Sequence, residues 1–131
     1  MIIAIDIGNS KIAFGIFQKD TLIAERRISS IPIHNDQYYW KEFIRTCEEN
    51  TISIGTIEGV VIASVVPHLQ EIFVTMVTQQ LKIPPVIISG KLNIGLTIHY
   101  DNPDSLGADR ICNAVAAYKL YGGPAIVVSL G

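Results

Sequence analysis

The sequence lacks the features that mark several common classes of protein. Only two of its 131 residues are cysteines, Cys47 and Cys112, and they lie far apart in apolar surroundings without metal-ligand spacing. We therefore expect two reduced thiols and no disulfide framework. Asp6 and Asn9 interrupt the apolar start of the chain, and no apolar run reaches the length of a signal sequence core or a membrane span. These absences predict a cytoplasmic protein with no membrane partner.

The sequence also has no large excess of positive or negative charge. Ten Lys and Arg stand against twelve Asp and Glu, the net charge is −2, and the basic residues form no block. Nucleic acid is therefore not an expected partner. The sequence contains no GxxxxGK phosphate loop, no GxGxxG fingerprint and no nucleophile elbow. His34, His68 and His99 follow neither zinc nor catalytic spacing.

What the chain does have is apolar sequence. Hydrophobic residues make up 49% and charged residues 17%, which favours a fold whose central strands are covered on both faces, or a piece cut from a larger fold. Periodicity and turn signals predict strands over 2–6, 11–17, 21–28, 59–66 and 84–89, and helices over 37–49, 67–80 and 105–121. They also predict a short strand over 95–100 and a last strand that begins at 125.

The order of these elements predicts an α/β fold. Short connections make the first three strands antiparallel neighbours, and the strand-helix-strand crossovers that follow add parallel ones. The result is a mixed sheet of βββαβαβ order flanked by helices. It resembles one half of the ribonuclease H-like (actin-like ATPase) fold, whose kinases consist of two such halves.

The stretch "DIGNSK" is the first candidate site. Asp6 ends a strand. Gly8 lets the backbone come close to a phosphate, and the N–H groups of the turn can point at it. Asn9, Ser10 and Lys11 add side-chain donors, while Asp6 can orient a hydrated Mg²⁺ between phosphates. The alternative is an ordinary hairpin turn in which Gly8 and Asn9 take positive φ and Asp6 is a local cap.

The stretch "YDNPDSLGADR" is the second. We expect a turn at Asn102–Pro103, a helix capped by Ser105, and close approach at Gly107. Asp109 can act as a base towards an alcohol, and Arg110 can hold a carboxylate or a phosphate through its guanidinium fork. The alternative is structural, because an Asp near a helix N-terminus complements the helix dipole without any further role. The residues alone leave both interpretations open.

Together these stretches resemble the type III pantothenate kinases over nearly the whole chain. "IDIGNSKIAFGIF" is similar to the D-x-G-N-T phosphate motif of that family, with Ser10 in place of Thr. "IASVVP" resembles its S-V-V-P segment. "YDNPDSLGADRICNAVAAY" is similar to its Y-x-N-P…G-x-D-R-x-x-N-A-x-A-A signature, the longest and most specific of the three.

The resemblance implies ATP-dependent phosphorylation of pantothenate to 4'-phosphopantothenate, the first step of coenzyme A biosynthesis, in a homodimer. It also implies Mg²⁺ with ATP and a monovalent cation, K⁺ or NH₄⁺. Asp6 would place Mg²⁺, and Asp109 would be the base. The implied phosphate-binding residues are Asp6, Gly8, Asn9, Ser10 and Lys11, and the implied substrate-binding residues are Tyr100, Asn102, Gly107, Ala108, Asp109 and Arg110.

One departure from the family pattern concerns the end of the chain. Where the family continues with a second phosphate motif, D-F-G-T-A-T-T, this sequence reads "SLG", with Ser129 in place of the acid. A serine hydroxyl supplies no negative charge, which argues against a monovalent-cation site at Ser129 and against turnover by this chain alone. We expect residues 1–104 to form a ribonuclease H-like domain, and 105–131 to be the connecting helix and first strand of a truncated second one.

Two rival functions follow from the same residues. The chain could be a non-catalytic accessory or regulatory binding module of the family, for which the serine at 129 would be suitable. It could also be another actin-like phosphotransferase acting on a different small alcohol. The "YDNPDSLGADR" stretch argues against the second rival, because it is the part of the resemblance tied to pantothenate.

Overall fold

The structure is a computed structural model that describes residues 1–102 and 105–129. The chain divides into two compact units, Met1–Ile87 and a second unit that starts at Ile88. The predicted domain division after residue 104 stays a prediction. Within the described residues, no helix has the length and apolar character needed to cross a membrane.

The first unit holds a five-stranded sheet and two helices. In chain order its elements are β1 (Ile2–Ile7), β2 (Lys11–Gln18), β3 (Thr21–Ser29), α1 (Asp36–Glu49), β4 (Gly59–Ser64), α2 (Pro67–Leu81) and β5 (Val86–Ile87), with a short 3₁₀ turn at Ile54–Thr56. The second unit contains α3 (Ala108–Tyr121). This order confirms the predicted βββαβαβ pattern followed by a helix.

The sheet is mixed, with strand order β3-β2-β1-β4-β5. β2 runs antiparallel to both β1 and β3, whereas β4 pairs parallel with β1 and with β5. A hairpin meander explains the antiparallel half, and the crossovers through α1 and α2 explain the parallel half. The expected α/β class is therefore confirmed, and the sheet has the form expected of a ribonuclease H-like domain.

Strand alternation divides the side chains of each strand between the two faces of the sheet. On the core face Phe14 of β2 is fully buried, and its ring centroid lies 6.3 Å from that of Phe43 in α1 and 5.7 Å from that of Phe73 in α2. Both helices thus cover the same face. The residues buried with them include Ile3, Ile5, Ile7, Ile12, Ile16, Tyr39, Cys47, Val60, Ile62, Leu69, Met76 and Val77.

A polar network ties β3 to α1 at the side of this core. The Nε of Arg26 donates to Oγ1 of Thr46 at 2.7 Å, and the guanidinium also pairs with Glu42 at 3.4 Å and with Glu49. Arg45 donates to Glu49 from the same helix at 2.8 Å. Hydrogen bonds from Arg45, and then from Arg26, hold the pKa of Glu49 below its usual value.

Cys47 and Cys112 are not joined by a disulfide. Cys47 lies in the core, where burial, with a smaller contribution from the nearby Glu48 carboxylate, raises the pKa of its thiol to about 11. Among the described residues, no group of three or more His, Cys, Asp and Glu side chains is placed to hold a metal ion.

Three predicted strands differ in the structure. Residues 95–100 form no strand, and neither do residues 125–129, where Ile126 is 94% exposed. The strand predicted over 84–89 is reduced to Val86–Ile87 at the sheet edge, paired with Val61–Ile62. The physical reason is shared: an apolar run becomes a strand only where a neighbour completes its hydrogen bonds, and no described strand pairs with 95–100 or 125–129.

Candidate active site

The first group of predicted site residues surrounds the turn between β1 and β2. Asp6 is the next-to-last residue of β1, and strand alternation places it on the sheet face opposite the buried Ile5 and Ile7. Its cross-strand neighbours are Ala13 in β2 and Ala63 in β4. Because the side chain of each neighbour is a single methyl group, there is open space on either side of the Asp6 carboxylate.

The backbone of the turn closes tightly. The Gly8 N–H donates to the Lys11 carbonyl at 2.9 Å, and a Cβ on Gly8 would lie only 3.2 Å from that oxygen. Glycine is therefore favoured here by close approach and not by its backbone angles. The positive φ expected for Gly8 and Asn9 in an ordinary hairpin turn is wrong, since the described residues with positive φ are Lys19, Thr51, Lys82, Gly95 and Gly122. The hairpin-turn alternative itself stays a prediction.

Ser30, which the sequence did not single out, directly follows β3 and forms hydrogen bonds to this turn. Its side chain is almost fully buried, at 1% exposure. The Ser30 hydroxyl donates to the Gly8 carbonyl at 2.6 Å, and its backbone N–H donates to the Ser10 carbonyl at 3.0 Å. The β2–β3 register, in which Lys11 pairs with Ser29, brings Ser30 opposite Ser10. No local pattern in the sequence signals this cross-strand pairing.

The turn offers a set of donors beside one carboxylate. A trans peptide directs each carbonyl and the following N–H to opposite sides, so the N–H groups of Asn9 and Lys11 point away from Ser30. The side chains of Asn9, Ser10 and Lys11 are exposed. An amide, a hydroxyl, an ammonium group and Asp6 at one turn can together bind an anion that carries a hydrated divalent cation.

A surface cavity of about 270 Å³ adjoins the turn and is lined by Ser10, Lys11, Arg27, Ile28 and Ser29. Arg27 pairs across β2 with Ala13, the residue that also pairs with Asp6. Paired residues share a face, so Arg27 lies on the same sheet face as Asp6 and adds a second cation near Lys11. Its Nε donates to Glu25 at 2.6 Å. The alternation of β3 in the sequence is the signal that could have identified Arg27.

The second group of predicted residues lies in the second unit, at the start of α3. Gly107 is the N-cap, with φ −59° and ψ 139°, and no side chain caps the helix. The prediction that Ser105 caps it is wrong, because the Ser105 hydroxyl donates to the Asn102 carbonyl at 2.7 Å. Ser105 also lies two residues before the N-cap, so it does not occupy the capping position.

The first turn of α3 separates buried from exposed positions. Ala108 and Ile111 are buried, whereas Asp109 and Arg110 are exposed. Successive helical residues point about 100° apart, so the side chains of Asp109 and Arg110 point in different directions. Tyr100 is half exposed.

The structure thus gathers the predicted residues into two groups. Tyr100, Asn102, Gly107, Ala108, Asp109 and Arg110 belong to the second unit, and the turn residues belong to the first. The expected Asn102–Pro103 turn lies partly outside the described residues. Ser129 is exposed and belongs to no strand, and the rest of the "SLG" stretch is also outside the described residues.

The strand order, the antiparallel β2 and the polar turn after β1 define an α/β protein of the ribonuclease H-like class. A sequence model of the family described as type III pantothenate kinase matches residues 2–131. A curated protein of Moorella thermoacetica, named type III pantothenate kinase, is 40% identical over 131 residues, which is 100% of this chain and 52% of that relative. The chain belongs to the type III pantothenate kinase family. It spans about half the length of the curated relative it matches.

Proposed function

We propose that this protein phosphorylates pantothenate with ATP to give 4'-phosphopantothenate, the first step of coenzyme A biosynthesis. The observation that carries the proposal is the presence of two candidate sites in one chain of this family. One is a tightly closed donor turn beside Asp6, and the other is an exposed Asp109–Arg110 pair at the start of α3.

We assign the turn to the phosphates of ATP. Gly8, Asn9, Ser10 and Lys11 would contact the phosphate oxygens, and Asp6 would hold Mg²⁺ through its water shell. Mg²⁺ usually keeps several waters and is bound by one or two carboxylates together with phosphates, so a single carboxylate between two alanines suits a nucleotide-borne ion. Phosphoryl transfer depends chiefly on alignment and charge neutralisation, and the donors of the turn can provide both.

We assign the start of α3 to pantothenate. Its primary hydroxyl oxygen would form the new bond to the γ-phosphorus of ATP while the bond from that phosphorus to the ADP oxygen breaks. Asp109 would accept the proton of the hydroxyl as general base. Arg110 would bind the pantothenate carboxylate through its guanidinium fork. The residues proposed to complete the substrate site are Tyr100, Asn102, Gly107 and Ala108.

Further partners follow from the same assignment. A homodimer is part of the proposal, because the resemblance to the type III pantothenate kinases implies one. Two reduced thiols support a cytoplasmic location. A monovalent cation, K⁺ or NH₄⁺, is part of the proposal for the complete protein.

The test is a coupled ADP-release assay on the protein expressed from its complete reading frame, with MgATP, pantothenate and K⁺. We expect ADP formation that depends on pantothenate and that falls when K⁺ is replaced by tetramethylammonium. A protein that shows a cooperative thermal transition but releases no more ADP with pantothenate than without it contradicts the kinase assignment.

A second candidate function is a binding module without turnover. Ser129 favours it, because the family pattern has an acid there and a hydroxyl cannot hold a cation by charge. Isothermal titration calorimetry separates the two: saturable binding of pantothenate or MgATP without ADP release supports the module, whereas measurable phosphorylation excludes it.

A further inference from the structure

Two polar side chains are buried in the described part of the chain, and their surroundings differ. Ser30 and Thr46 are each 1% exposed. Thr46 accepts from Arg26 and donates to the Glu42 carbonyl at 2.8 Å, within the network that joins β3 to α1. Ser30 instead directs both its hydroxyl and its backbone N–H to the turn after β1. The network between β3 and α1 explains why the Thr46 hydroxyl is buried. The buried Ser30 hydroxyl at the phosphate turn needs a separate explanation.

We propose that Ser30 is a positioning residue for the phosphate turn, an inference that rests on the proposed binding of ATP phosphates there. Its two donors hold the carbonyls of Gly8 and Ser10. Because each trans peptide places the next N–H on the opposite side, the same bonds direct the N–H groups of Asn9 and Lys11 away from Ser30. The turn is thereby kept in one conformation before the nucleotide arrives.

The presence of Gly8 in the turn explains why hydrogen bonds are needed to fix the turn conformation. Glycine has the widest choice of backbone angles, and the peptide that links Gly8 to Asn9 could rotate within the turn. Rotation would exchange the Asn9 N–H for the Gly8 carbonyl, whose negative end repels phosphate. The hydroxyl of Ser30, at 2.6 Å from the Gly8 carbonyl, opposes this rotation, and its burial keeps water from replacing the bond.

The test compares variants of the two buried hydroxyls in the protein expressed from its complete reading frame. Ser30→Ala removes the hydroxyl, Ser30→Thr keeps it, and Thr46→Val is the matched loss of a buried hydroxyl away from the turn. We expect Ser30→Ala to raise the KM for MgATP about fivefold to tenfold, in line with one lost hydrogen bond, while the KM for pantothenate changes less than about twofold. Ser30→Thr should recover most of the loss, and Thr46→Val should lower Tm but leave both KM values unchanged.

Amide hydrogen exchange provides a readout that needs no turnover. In Ser30→Ala the amides of residues 8–11 should exchange faster than in wild type, whereas those of α1 and α2 should not. Ser30→Cys, which fills similar space with a weak donor, replaces Ser30→Ala if the alanine variant does not fold.

The outcomes separate this inference from the proposed function. A wild-type protein without pantothenate-dependent ADP release refutes the kinase assignment. An active wild type whose Ser30 variants lose only thermal stability, as Thr46→Val does, overturns the positioning role. Equal increases of the KM for MgATP in Ser30→Ala and Thr46→Val would also overturn it, because the effect would then be general destabilisation.

Discussion

The two candidate regions are built in different ways. The turn after β1 is fixed by contacts distant in sequence, because Ser30 holds its carbonyls from β3 and Asp6 pairs with Ala13 and Ala63 on neighbouring strands. The start of α3 is local: the Arg110 and Ile111 N–H groups donate to the Gly107 carbonyl at 3.1 and 3.3 Å. We therefore expect changes at the turn to act through backbone geometry, and changes at α3 to act through the lost side chain alone.

The largest expected effect is at α3, where Asp109→Asn removes the proposed base. A general base typically contributes about 10² to 10⁴ in rate, so kcat for pantothenate phosphorylation should fall at least about 100-fold. Because Asp109 is exposed, the Tm should change little. The measurements are the coupled ADP assay and a thermal melt.

Asp36→Asn is the matched control for Asp109→Asn. Asp36 is also an Asp in the first turn of a helix, α1, where it accepts from the Gln37 N–H at 2.9 Å. It should leave kcat unchanged and cost less than about 1 kcal/mol of stability. Equal loss of activity in the two variants would mean that Asp109 only serves the helix dipole.

The next effect concerns stability and contrasts the core beneath the turn with the surface of α3. Phe14 is fully buried against the rings of Phe43 and Phe73, so Phe14→Ala should lower the free energy of unfolding by about 3–5 kcal/mol. Tyr118 in α3 is 62% exposed, and Tyr118→Ala should change it by no more than about 0.5 kcal/mol. Chemical denaturation followed by circular dichroism measures both. A Tyr118 loss as large as that of Phe14 would reveal that a partner covers this side of α3.

Gly8→Ala tests the backbone argument at the turn. The new Cβ would lie 3.2 Å from the Lys11 carbonyl, so the turn must open by a few tenths of an ångström and its donors must move. We expect the KM for MgATP to rise about tenfold, equivalent to about 1.4 kcal/mol, with little change for pantothenate. Gly59→Ala is the control, since its Cβ would meet Ile2 at an ordinary 3.9 Å. An unchanged KM in Gly8→Ala would refute the need for a closed turn.

The sequence predicted best what depends on local pattern. Alternation and helical spacing located β1 to β4, α1 and α2 to within one or two residues, and Pro67 opens α2 as expected of a proline in the first turn. The family motifs located the turn, whereas the helix predicted over 105–121 begins three residues later, at Ala108. These features need only neighbours along the chain.

What depends on distant partners was not predicted. Residues 125–128 are apolar but lack a paired strand among the described residues, so they form none. Ser30 looks like an ordinary loop serine until the β2–β3 register places it opposite Ser10. Ser105 is a residue type that often caps helices, yet its hydroxyl donates a hydrogen bond to the Asn102 carbonyl. In each instance a hydrogen-bond partner decides the outcome, and sequence spacing does not identify that partner.

The smallest expected effect lies in the polar network that joins Arg26 of β3 to α1. Bonds from Arg45 and Arg26 lower the pKa of Glu49 in the folded state, so the unfolded chain binds its proton more readily than the folded one. The resulting stability is present above the usual Glu pKa and is lost as the pH falls through the lower folded value. Thermal melts between pH 6 and pH 3 should therefore show a steeper acid loss in wild type than in Glu49→Gln, which cannot titrate, while Glu48→Gln should follow wild type. Because Glu49 is exposed, the difference should be modest and should shrink with added salt. Identical acid slopes in wild type and Glu49→Gln would show that the pairs of Glu49 with Arg45 and Arg26 do not stabilise the fold.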